Sequence, residues 1–331
     1  MNKVKYLLLV SISGMLSVSF PIFAANSPDA RDVLRRFTEA RKNLTSFIIK
    51  VKMENTYNCP VYNWGDTMYG ASEFRFDGVR GRVSSDMWGN INMANPDVPE
   101  DQPLYTSRLW EGENFYSYSR SATPAKGHLM MNRVKDPGGV PKSYTEFVQN
   151  SIVPGLMMGY IRGNSDRQIE EVLNRAEDLD LRQEELRGVN CYVIDTVVKE
   201  KGSYTLWIDP THDYHIVKLH VLRKGGDYYG EAKIPKNDSS DMTVEVLDFQ
   251  QIADSWFPKR YKKMEIVISK GVFEEHTVIS DITSIVLNPD HDALKSFTPY
   301  DIPNGAPVTI MAFHKVKYVW QDGKPVRTEE N

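Results

Sequence analysis

From Leu179 onward this chain is a near-unbroken series of strand-like runs, and no other feature restricts its folding more. Cys191 to Val198, Ser203 to Ile208 and His215 to Leu222 are three such runs, separated by Lys-Gly and Asp-Pro turns. Met242 to Ile252, Trp256 to Ile268 and Phe273 to Val286 are three more. A shorter piece from Val308 to Val319 ends near Asp322-Gly323. Strands that follow one another through tight turns pair with their sequence neighbours, so an antiparallel meander is expected. No segment recurs with a period of roughly 20 to 50 residues, which disfavours a solenoid or a propeller.

The same texture begins earlier. Phe47, Ile49, Val51 and Met53 alternate with Lys50, Lys52 and Glu54, a period of two that marks a half-buried strand. Just upstream, Ser27-Pro28-Asp29 reads as a helix start, with a capping hydroxyl, a proline at the first helical position and an acid on the positive end of the dipole. Val33, Leu34, Phe37, Ala40 and Leu44 follow at helical spacing, so one amphipathic helix feeds into the sheet. Asp77-Gly78 turns Glu73–Phe76 back into Val79–Val83, and Leu109 to Tyr116 repeats the device around Gly112. Residues 96–103 and Asp136-Pro137-Gly138-Gly139 are polar loops.

Between about residues 143 and 175 the pattern changes. Tyr144 to Gln149 reads helical, and Ile169, Val172 and Leu173 mark another short helix. Ile152 to Ile161 between them is apolar but broken by Pro154, Gly155 and Gly159. This helical insertion is expected to cover one open side of the sheet.

The N-terminus sets the expected compartment. Lys3 and Lys5 precede an apolar, uncharged run from Leu7 to Phe23, and Ala24 and Ala25 offer small residues for cleavage. The run is shorter than the roughly 20 residues of a spanning helix, and Pro21 breaks it near its end. Residues 1–24 are therefore expected to be a signal peptide, the alternative being an uncleaved anchor, and no cysteine near the cut offers a lipid attachment site. The remainder, residues 25–331, is expected to be a single domain, soluble in the periplasm or secreted. With 40 basic against 44 acidic residues the chain is mildly acidic, which argues against a nucleic-acid or anionic-membrane surface. No later segment is apolar enough to span a bilayer. Cys59 and Cys191 are the two cysteines; an oxidising compartment allows them to pair, and two separate thiols are the other option. They lack the C-x-x-C spacing of redox catalysis.

Catalytic signals are weak. The nucleophile-elbow, zinc-protease, phosphate-loop and dinucleotide motifs are all absent, and no pair of carboxylates stands out as acid and base. A non-enzymatic protein without cofactor is expected. His212, His215 and His220, with Asp209 and Asp213, invite a metal site. Their odd spacings put successive histidines on opposite faces of a strand, so no metal site is expected unless a turn curls His212 back.

Trp207-Ile208-Asp209-Pro210, Tyr214-His215-Ile216-Val217-Lys218, Asp248-Phe249 and Asp254-Ser255-Trp256-Phe257-Pro258-Lys259 form an ordered series. Together with the helix running into Phe47–Val51 and the hairpins at Phe76-Asp77-Gly78 and Trp110-Glu111-Gly112, this series resembles the LolA-like family of outer-membrane lipoprotein-sorting proteins. Each motif also has a structural reading: Asp209-Pro210 ends a strand, and Trp256-Phe257-Pro258 puts aromatics on both faces and then breaks the pairing. The resemblance implies a mainly β fold, a half-open antiparallel β-barrel wrapped around and covered by a few helices. In that family an apolar cavity takes the acyl chains of lipoproteins beneath a helical lid. Relatives with this fold bind glycolipids or sense mislocalised proteins.

The insertion then becomes the leading site. Leu156, Met157, Met158, Tyr160 and Ile161 lie in a segment too broken for an ordinary core helix, and methionine adapts to flexible chains. With Phe47, Ile49 and Val51 from the facing strand they are the candidate lid and cavity residues, for a hydrophobic ligand such as a lipoprotein acyl chain. The alternative is that they fill the core permanently. The protein would then be an envelope interaction or sensor module, with Trp88, Tyr228 and Tyr229 exposed for a protein partner.

Overall fold

The computed structural model describes residues 28–42, 44–60, 64–90, 98–121, 127–133, 152–161, 163–164, 168–313 and 316–328. The expected signal peptide, the helical stretch read at 144–149 and the Asp136–Gly139 loop lie outside them.

Helix α1 (Ala30–Glu39) is followed by six strands in succession: β1 (Phe47–Cys59), β2 (Trp64–Phe76), β3 (Gly81–Gly89), β4 (Leu104–Trp110), β5 (Asn114–Arg120) and β6 (His128–Arg133). Two short helices come next, α2 (Ile152–Met157) and α3 (Ile169–Leu173). Then come β7 (Asp180–Leu186), β8 (Val189–Val198), β9 (Gly202–Asp209) and β10 (His215–Lys224). A small ribbon of β11 (Tyr228–Tyr229) and β12 (Ala232–Lys233) leads into β13 (Ser239–Ile252), β14 (Ser255–Ser269) and β15 (Val272–Leu287). Last come β16 (Pro307–Ile310), β17 (Tyr318–Gln321) and β18 (Lys324–Arg327).

All strands but the β11–β12 ribbon form one 16-stranded sheet, in the order β18-β17-β16-β6-β5-β4-β3-β2-β1-β15-β14-β13-β10-β9-β8-β7. Two meanders meet where β1 pairs antiparallel with β15, from Phe47 opposite Leu287 to Asn58 opposite Glu275. The sheet is open, with β18 and β7 at its edges. The fold is thus mainly β, a half-open antiparallel sheet with a few helices, as expected. Among the described strands one pair is parallel: β16 runs alongside β6.

Two local readings need correction. The residue capping α1 is Asp29, whose Oδ1 accepts from the Asp32 amide at 2.8 Å. A carboxylate one residue before the first turn both caps and faces the dipole, so Asp29 outcompetes the serine two places upstream. Pro258 does not break the β14 pairing. It lies opposite Phe249, next to register shifts between Val246 and Phe249, and this bulge absorbs the missing amide donor.

Of the two options for the cysteines, the structure has separate thiols. Cys59 at the end of β1 and Cys191 on β8 are both free and buried, six ladder steps apart in the strand order. Burial, helped by the charges of Asp209 and Glu184, pushes the Cys191 thiol up to about 11, so it stays protonated and inert.

The main core lies on one face of the sheet, here called the inner face. Alternate residues of β9 (Leu206, Ile208), β10 (Leu219, Val221), β13 (Met242, Val244) and β15 (Ile282) meet Val33, Leu34 and Phe37 of α1 and Ile169, Val172 and Leu173 of α3. Further along the same strands the inner face turns polar. Parity places Arg223 after Leu219 and Val221, and Lys263 and Glu265 after Tyr261, all buried. Lys263 Nζ lies 2.6 Å from Glu265 Oε2, which makes the buried cation affordable. A second core (Leu109, Tyr118, Leu129, Phe297, Trp320) fastens the C-terminal segment.

Candidate functional site

The expected cavity residues come together. Phe47, Ile49 and Val51 project from β1 onto the inner face, where Phe47 packs on Phe76 with ring centroids 5.1 Å apart. Met157 and Ile161 are buried in the same cluster, and Leu156, Met158 and Tyr160 pack against it. The segment from Gly155 to Ile161 therefore packs into the same core as this part of the sheet.

Its attachment is uneven. Met158 and Tyr160 donate their backbone hydrogen bonds to Gly155, Gly159 donates to Leu156, and Ile169 donates to Gly159, all of them local. Side-chain packing is what presses the segment onto the sheet. Gly159 takes φ +82°, and a Cβ there would come within 3.3 Å of the Phe37 ring, so glycine is required. Beyond Ile161 the chain is pinned by polar contacts. Buried Asn164 accepts from Tyr204 Oη at 2.8 Å and from Arg223 Nη2 at 2.7 Å, and Gly163 accepts from the Gly230 amide at 2.7 Å.

Beside Met157 a cavity of about 220 Å³ opens between the end of α1, the β9–β10 turn, the start of β14 and the end of β15. Leu44, Met157, Phe257 and Leu287 give it apolar walls, with Trp256 alongside, and Arg41, Asp213 and His215 give it polar ones. Arg41 follows Phe37 by one helical step and is only 9% exposed. Its guanidinium stacks on the Phe37 ring at 3.9 Å, and Nη1 donates to the Phe37 carbonyl. Nε and Nη2 have no partner among the described residues. Burial brings the guanidinium down to about 9, against the pull of Asp213. His215 donates from Nε2 to the Trp256 carbonyl at 2.6 Å. Burial, then the Arg41 charge, holds its pKa well below the usual histidine range, so it is neutral.

Asp213 and Tyr214 adopt φ of 51° and 54°, and this left-handed turn curls His212 back beside His215. Both rings flank Phe249, with centroids 4.5 and 5.7 Å away. His220 faces elsewhere, bonded to Asp241 at 2.8 Å. Among the described residues no group of three or more His, Cys, Asp or Glu could hold a metal. Trp88, Tyr228 and Tyr229 are half-buried rather than exposed. Trp88 stacks on Tyr69, while Lys201 and Lys233 flank the Tyr228 ring.

Arg41, Asn164 and Arg223 were not singled out from sequence. The signal was there for two of them: Arg41 continues the 33-34-37 helical face, and Arg223 has the inward parity of its strand.

No family model matches the chain, and no curated protein matches it. Solved structures similar to it exist. One is the LolA superfamily protein NE2245 from Nitrosomonas europaea, at 12% identity and a TM-score of 0.38, covering 83% of this chain and 100% of that one. Another is a DUF1329 family protein from Desulfovibrio piger, at 11% identity and a TM-score of 0.39, covering 82% and 97%. A third is MucB of Pseudomonas aeruginosa in complex with MucA, at 11% identity and a TM-score of 0.25, covering 79% and 100%. Overlap at this level assigns no ligand or partner to the present chain. Among the described residues no helix is long and apolar enough to cross a membrane, which says nothing of strands.

Proposed function

We propose that this chain is a non-enzymatic binding protein of the bacterial envelope that takes a hydrophobic ligand, a lipid or the acyl chain of a lipoprotein, on the inner face of its sheet. The observation behind this reading is the segment from α2 to Ile161, which packs into the same apolar cluster as Phe47, Ile49 and Val51. It is a six-residue helix and a turn whose side chains pack into the core and whose trailing end is tied at Gly163 and Asn164. A helix that short has little stability of its own, so it stays in place only while its side chains are buried. Ligand cavities run to roughly 300–1,000 Å³, and the adjoining cavity of about 220 Å³ is smaller. Ligand entry therefore requires Leu156, Met157 and Met158 to move aside. Each methylene buried in exchange contributes about 0.8 kcal/mol. An envelope partner would accept or deliver the chain.

A second reading, a sensor or interaction module with the core permanently filled, is favoured by the near-complete burial of Met157 and Ile161. Native mass spectrometry of the protein purified from its own envelope separates the two. A co-purifying lipid or lipopeptide, lost when Met157 and Met158 are both changed to Asp in a protein that still folds, is expected. A clean unliganded mass, with no uptake of a fluorescent fatty acid, would leave only the interaction module.

A further inference from the structure

We infer that the cavity at the end of α1 is an oxyanion subsite, in which the unpartnered Nε–H and Nη2–H edge of Arg41 binds the carboxylate or phosphate head of an amphiphile whose tail runs under the α2 segment. For the tail the inference rests on the hydrophobic-ligand reading above.

The geometry comes first. Nη1 of Arg41 is committed to the Phe37 carbonyl and one face of the guanidinium to the Phe37 ring. What remains is Nε and Nη2, which lie on the same side of the planar group, are closed to solvent, and form a two-pronged donor that a head reaches once the wall beside it shifts. Two parallel N–H groups match two oxygens of one carboxylate or phosphate, which a single carbonyl or hydroxyl cannot match. A buried cation with two unmade hydrogen bonds is costly, and the cost goes when an anion fills the fork.

The surroundings fit a head with a tail. Asp213 lines the same cavity and its charge opposes an anion there, but its Oδ2 is turned to the Trp256 amide at 2.7 Å and it makes no direct ion pair with Arg41 among the described contacts. His215 is neutral and already donates to Trp256. Leu44, Met157, Phe257 and Leu287 give the cavity apolar walls beside the polar Ser46, Ser255 and Asn288, and Met157 belongs to the α2 segment itself. Met157 lines this cavity and also belongs to the apolar cluster that holds Phe47, Ile49 and Val51, so its movement would join the two spaces for an acyl chain leaving the fork. The lowered guanidinium value agrees with a charge that lacks its partner.

The test is titration calorimetry of the full chain with four probes: dodecanoate and decyl phosphate below their micellar concentrations, dodecanol, and inorganic phosphate. The wild type should bind the two charged amphiphiles at least about tenfold more tightly than the alcohol, the ratio that one hydrogen bond to a charged group supplies. Arg41→Met should lose that preference, and Arg41→Lys, which keeps charge without the fork, should recover only part of it. Circular dichroism confirms that each variant folds. Equal affinity of wild type for dodecanoate and dodecanol, or an undiminished preference in Arg41→Met, overturns the subsite and leaves the hydrophobic reading intact. Binding of inorganic phosphate alone, abolished in Arg41→Met, would keep the subsite and sink the hydrophobic reading. No binding of any probe overturns both.

Discussion

At the residue scale the molecule is marked by ionisable groups taken out of water. His215, Arg41, Arg223 and the Lys263–Glu265 pair are all buried on or beside the inner face. Each has a different compensation: a carbonyl for His215, an aromatic ring and one carbonyl for Arg41, Asn164 for Arg223, and an ion pair for Lys263. For His215 the result is a pH dependence with a definite sign. Its folded pKa lies below the value of about 6.5 that it has when unfolded. The unfolded chain therefore binds a proton that the native chain refuses, and stability present above pH 6.5 is lost as pH falls below it. The slope is about 1.4 kcal/mol per pH unit for one such proton. Urea denaturation at pH 7, 6 and 5 should show the midpoint falling, and His215→Asn should flatten the fall even if it lowers stability at pH 7. A variant with the wild-type slope would place the acid sensitivity elsewhere.

At the scale of the element, the segment from α2 to Asn164 differs from everything around it. The strands are held by continuous ladders, whereas Ile152–Met157 makes one helical turn and a half and then bends at Gly159. Packing holds its front and Asn164 holds its back. Such a unit opens at lower free energy than the sheet beneath it. Asn164→Leu removes the acceptor for both Tyr204 and Arg223, and hydrogen bonds to a charged group are worth about 1.5–3 kcal/mol. A loss of about 2 kcal/mol in urea denaturation is expected. Hydrogen exchange at residues 155–161 should accelerate well ahead of β9 and β10. Equal acceleration across the segment and the strands would mean that Asn164 stabilises the whole domain and anchors no separate cover.

At the scale of the whole molecule the open sheet has two edges to protect. Edge strand β7 carries Asp180, Arg182, Glu184 and Glu185, with Arg182 paired to Glu184 and Asp195. Edge strand β18 carries Lys324, Pro325 and Arg327. Charges and proline are the usual means of denying a free edge to another chain. Replacing Arg182 and Glu184 together by Val should raise the apparent mass in light scattering as concentration increases, with little change in the monomer's circular dichroism. An unchanged monomer would show that the twist of the edge, and not its charge, keeps copies apart.

The sequence by itself determined many of the elements: period-two alternation and tight turns marked β1, the hairpins at Asp77-Gly78 and Gly112 and most strands after Leu179, and helical spacing marked α1 and α3, while β6 went unread. Those are local properties, written in the parity of neighbouring residues. It also brought Phe47, Ile49 and Val51 into view as one face. Only the tertiary structure decided which strands meet: β1 with β15 across more than two hundred residues, and β16 parallel to β6. Pairing between distant segments depends on loop closure and shared burial, which no window of sequence contains. The same holds for the chemistry of the cavity. Arg41 is unremarkable along the chain, and Asp213 and His215 stand out there only beside the other histidines; the three become a site because the left-handed turn at Asp213–Tyr214 and the packing of α1 bring them around one small volume beside Met157.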